Sequence, residues 1–89
     1  MEKYTVKEWF ANKIANEVRR NISMCEIFCI LKETDKAVYA IMNLGTNFAR
    51  TMWIPKSVLV ENDKDHETLR ISDYNEAMSR FYAMWKDFT

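Results

Sequence analysis

Glycine and proline are nearly missing from this chain, with one of each in 89 residues. That scarcity, among many large apolar residues, excludes collagen-like repeats, low-complexity tracts and disorder. One glycine also cannot build a phosphate-cradling loop. Net charge is missing too: 13 Lys and Arg balance 13 Asp and Glu. A protein that grips duplex nucleic acid through phosphates carries a basic excess or stripe, and a DNA mimic would be strongly acidic. Zero net charge removes self-repulsion and favours association, with a partner or with a second copy as a homodimer. No apolar run approaches the roughly 20 residues that cross a bilayer, and the start, MEKYTVKEWF, has no apolar signal-peptide core. The expectation is a cytoplasmic protein without a membrane segment.

Cysteine is limited to Cys25 and Cys29, inside SMCEIFCILK. Read as a strand, this stretch places both thiols on one face, about 13 Å apart at ~3.3 Å per residue. That span excludes a mutual disulfide or a shared metal ion. Two reduced core cysteines are expected, with no cofactor.

What is present suits one packed domain over 1–89: 48% hydrophobic and 29% charged residues. TVKEWFANKIANEVRR (5–20) reads as an amphipathic helix, with Val6, Trp9, Phe10, Ile14 and Val18 as its apolar stripe. Thr5 and Glu8 have capping-box spacing, and Arg19 and Arg20 suit the negative end of the helix dipole. From Ile22 to Glu33 the period falls to two, with Cys25, Ile27, Cys29 and Leu31 on one face. ETDK makes a turn, AVYAIMNL (37–44) a second strand, and FARTMWI (48–54) a third. Gly45 is expected at a turn that needs positive φ. Pro55 ends the third strand, after which SVLVE can resume pairing and TLRIS add a short strand. DYNEAMSRFYAMWKDF (73–88) reads as a second helix, capped by Asp73 with Glu76, its stripe running Tyr74, Ala77, Met78, Phe81, Trp85, Phe88. The fold class is therefore α+β: an N-terminal helix, a three- to four-stranded antiparallel meander and a C-terminal helix, with both helices expected on one sheet face.

Little here can do covalent chemistry. His66 stands in the acidic loop ENDKDHE without a Ser or Cys neighbour. Glu61, Asp63, Asp65 and Glu67 alternate as in a calcium loop, but the required glycine is missing and the flanks read as strands. No catalytic or metal-ligating residue is assigned, and the chain is not expected to be an enzyme. Single-strand nucleic-acid binders set aromatic rings beside basic groups on one sheet face. Here strand parity puts Arg50 with Phe48 and Met52, and Trp53 opposite them with Ala49 and Thr51, so ring and guanidinium are separated. Six Met, three Trp, four Tyr and five Phe exceed the needs of one small core, and these are residue types enriched at contact surfaces. Protein binding is the favoured class, with a single-stranded nucleic-acid accessory role as the alternative. The expected contacts are Arg50 and Lys56 around the third strand and Asp63, Asp65 and Glu67 in the loop, with Trp53 packed inside.

The segment KAVYAIMNLGTNFARTMWIPKSVL (36–59), with KAV opening one strand and WIPKS closing the next, resembles small proteins carried by phages and other mobile elements. Some proteins of that kind inhibit host defence, anti-CRISPR proteins among them. The resemblance implies an accessory protein that works by binding inside a bacterial host. It carries no catalytic or binding residues across.

Overall fold

The computed structural model describes residues 2–62 and 66–86. A short strand β1 (Tyr4–Val6) leads into helix α1 (Glu8–Val18). Three longer strands follow, β2 (Glu26–Glu33), β3 (Ala37–Gly45) and β4 (Phe48–Pro55). A single 3-10 turn over Lys56–Val58 leads to β5 (Leu59–Glu61), and β6 (Leu69–Arg70) precedes helix α2 (Tyr74–Lys86). The α+β class, the two helices and the antiparallel meander β2–β3–β4 are as expected from the sequence.

The sheet runs in the order β4-β3-β2-β1-β5. β6 pairs in parallel with β2, on the side where β1 also pairs. The SVLVE segment does resume pairing, as β5 against β1, with Val6 opposite Leu59. The N-terminal residues thus contribute a strand where a longer helix is expected from the sequence. Thr5 caps no helix; it lies in β1 and donates its hydroxyl to the Cys25 carbonyl. Lys7 precedes α1 without a side-chain cap. At the second helix Asp73 does act as a cap, its Oδ1 accepting the Asn75 amide at 3.1 Å rather than the Glu76 amide of a capping box.

The helices do not share a face. Phe10 and Ile14 of α1 pack with Ile27, Ile30, Val38, Ala40, Met42, Leu44 and Ile54. Ala77, Phe81 and Trp85 of α2 pack with Phe28, Cys29, Leu31 and Ile41 on the other side. Even-numbered β3 residues serve one core and odd-numbered ones the other, because successive side chains of a strand point to opposite faces. Both faces of β2 and β3 are covered, so these strands are near-continuous apolar runs rather than alternating ones.

Strict alternation also fails within β2. Its register against β3 shifts between Ile27 and Cys29 and again between Ile30 and Lys32. Each shift is a bulge that adds one residue and resets which face follows. Cys25 and Ile27 therefore face α1 while Cys29 and Leu31 face α2, so the four do not form one row. Gly45 has φ 153°, and a Cβ there would lie 3.0 Å from Ser23 Oγ. Its single hydrogen permits both the conformation and the approach.

Candidate functional site

β4 is an outer strand of the sheet. The Lys56 amide donates to the Lys36 carbonyl at 2.8 Å, which marks position 56 as facing β3. Ladder alternation then turns the backbone groups of residues 54, 52 and 50 inward and those of Trp53, Thr51 and Ala49 outward. Pro55 stands at an outward position, where its missing N–H leaves the sheet intact. Proteins shield such edges with short strands, lysines or prolines. The opposite side of the sheet is shielded by brevity, since β5 has three residues and β6 two. β4 is eight residues long, and Arg50 is its only charge.

Trp53 is 50% exposed, so it is not the core residue expected of it. Strand parity does place it opposite Arg50, but the α2-side core reaches the outer strand only at Ala49 and leaves Trp53 exposed. The Trp53 ring rests on Tyr39, its partner on β3, with centroids 5.1 Å apart. On the other face Arg50 is exposed across from Met42, and the Arg20 guanidinium sits 3.9 Å above the Phe48 ring. The sheet thus presents an aromatic surface on its α2 side and a cationic one on its α1 side.

The other expected contacts fall elsewhere. Lys56 Nζ binds Glu33 Oε2 at 2.6 Å, and Arg70 binds both Glu33 Oε1 at 2.6 Å and the Glu2 carboxylate in a bidentate pair at 2.6 and 3.0 Å. These charges rim an open groove of about 430 Å³ floored by Ile30, Val38 and Leu59. Lys56 is therefore held in this network. Glu67 is exposed beside His66, while Asp63 and Asp65 lie outside the described residues.

Hydrogen bonds from Lys56 and Arg70 hold the Glu33 carboxyl down at about 2, against an ordinary 4.5. A depressed folded-state pKa means that the unfolded chain takes up a proton first on acidification. The contribution of Glu33 to stability is therefore complete above pH 4.5 and is lost as pH falls towards about 2. Glu33→Gln should lower the melting temperature relative to wild type at neutral pH, and the two curves should converge in acid. A difference that stays constant across this range would contradict the network.

A second polar cluster has no signature in the sequence. Glu26 and Asn43, directly opposite each other on β2 and β3, are both buried. Asn43 Nδ2 donates to Glu26 Oε1 at 2.8 Å, and Asn43 Oδ1 accepts from Trp85 Nε1 at 3.3 Å. His66 Nδ1 lies 3.2 Å from the same Glu26 oxygen. The cluster ties α2 and the loop after β5 to the centre of the sheet. Burial raises the Cys25 thiol to about 11 and pushes Cys29 upward too, so neither thiol forms a nucleophilic thiolate at neutral pH. Among the described residues no group of three or more His, Cys, Asp or Glu is placed to hold a metal ion. No helix among them is long and apolar enough to cross a membrane.

No family model, curated protein or solved structure matches the chain.

Proposed function

We propose that this is a non-enzymatic protein-binding accessory protein whose contact surface is the part of the α2-side sheet face that α2 leaves uncovered. The half-exposed Trp53 stacked on Tyr39 carries the proposal. Large, rigid aromatic rings that already rest on a firm floor lose little entropy on binding and anchor interfaces. In the setting implied by the KAV…WIPKS resemblance, the partner is a protein machine of a bacterial host, such as a CRISPR effector. Single-stranded nucleic acid fits this surface less well, because Arg50 and Arg20 belong to the opposite face.

The test is retention of host proteins from lysate by immobilised wild type and by Trp53→Ala. The variant should weaken the specific partner roughly thirtyfold, as expected for an anchor residue, while stability falls by only about 1 kcal/mol. Unchanged retention would overturn this surface. Micromolar binding to single-stranded oligonucleotides with a steep salt dependence would favour the nucleic-acid reading instead.

A further inference from the structure

We infer that the open edge of β4 is closed by β4 of a second copy of this chain, antiparallel about a twofold axis at Thr51. This rests on the proposed function above, because it names what lies beside the same aromatic surface, but it uses different atoms: the outward backbone groups of Ala49, Thr51 and Trp53.

The register follows from the residues. With Thr51 opposite the partner's Thr51, Ala49 stands opposite the partner's Trp53 and Trp53 opposite the partner's Ala49. A large ring then meets a methyl group at both symmetric positions. On the other face Arg50 meets the partner's Met52, and Phe48 meets the partner's Ile54. Like charges directly opposite each other destabilise a strand pair, and this register contains no such pair. All outward positions form hydrogen-bonded pairs, giving about six intermolecular backbone bonds. Pro55 stops the ladder at each end, since it has no N–H to offer beyond Trp53. Zero net charge leaves no overall repulsion between copies.

Residues directly opposite in an antiparallel pair project from the same face. The twofold axis is therefore perpendicular to a continuous sheet, and both α2 helices lie on one side of it. The Tyr39–Trp53 ring pair of each copy then lies on the same face of one continuous sheet, the two pairs on either side of the axis and about 14 Å apart along the strands, four residues at ~3.4 Å each. The result is two two-ring patches on one face, related by the axis and with both α2 helices on that same face, which doubles the surface proposed for the partner. An isologous contact of this kind is self-complementary and closed, so it ends at the dimer.

Sedimentation of the full chain at concentrations from about 10 µM to about 1 mM, the range in which a small interface assembles, tests the proposal. Wild type should approach twice 10.7 kDa. Thr51→Lys and Thr51→Glu each place like charges face to face at the axis, on an edge where lysine suits the monomer, and each should stay at the monomer mass. Mixing the two variants should restore the dimer mass, because the introduced ammonium and carboxylate groups then oppose each other. A second readout is oxidised Thr51→Cys. The roughly 5.5 Å between opposed Cα atoms is within disulfide reach, so a link across the axis is expected.

A wild type that remains at 10.7 kDa throughout overturns the dimer. So does a dimer indifferent to both charge variants. Neither result touches the Trp53→Ala retention assay, which decides the partner surface independently. Conversely, a dimer restored by mixing, together with unchanged retention by Trp53→Ala, keeps this inference and removes the proposed partner surface.

Discussion

Phe81→Ala is expected to cost about 3–5 kcal/mol, the largest effect of any single truncation on the α2 side of the sheet. Phe81 is fully buried at the centre of that face, edge-on to Phe28 with centroids 5.4 Å apart. Its neighbours on α2, Ala77 and Trp85, reach the same strands. One end of the cavity would be bounded by the sheet, which is held by pairing on both sides of β2 and β3 and cannot collapse inward. A chain of this length has only about 4–13 kcal/mol of stability in total, so the variant sits close to unfolding. Urea denaturation followed by helical circular dichroism measures it. A loss below about 1 kcal/mol would mean that α2 does not depend on this contact, contrary to a core built on both faces.

Asn43→Ala is expected to cost about 2–4 kcal/mol although it removes only a small polar side chain. The amide is fully enclosed and both its ends are used, one towards Glu26 and the other towards Trp85. Without it the buried Glu26 carboxyl group loses its closest hydrogen-bond donor among the described residues. Desolvation that Asn43 had compensated then counts against the fold, with only the His66 contact left to that oxygen among the described residues. Asn43→Asp is nearly isosteric yet should cost more than alanine at neutral pH, since two carboxylates would share one enclosed site. Equal midpoints for wild type and Asn43→Ala in urea would show that the cluster holds nothing in place.

Much of this is legible in the residues, and the misses have identifiable causes. AVYAIMNL carries apolar residues at both parities, and so does IFCIL; each pattern signals a strand buried on both faces. Two helices on opposite sides satisfy that pattern, whereas two on one side would leave Ile41, Phe28 and Leu31 in water. The N-terminal strand is hidden because Thr5 and Glu8 have the spacing of a capping box. Its partner, the distant segment Leu59–Glu61, lies at the other end of the meander, and such pairing has no local signature. The exposure of Trp53 escapes the sequence for a related reason. Parity tells which face it occupies, but whether that face is covered depends on where α2 docks.

The amino-acid sequence by itself determined the two helices, the meander with its glycine-bearing turn and proline stop, and the separation of Trp53 from Arg50. These rest on periodicity and backbone restriction, which act between neighbours along the chain. Tertiary structure alone decided that β4 is an outer strand, that α2 stops short of Trp53, that Lys56 is held by Glu33, and that Glu26, Asn43 and Trp85 meet. Each depends on which elements far apart in the chain come together, and burial and pairing are properties of that assembly rather than of any one stretch.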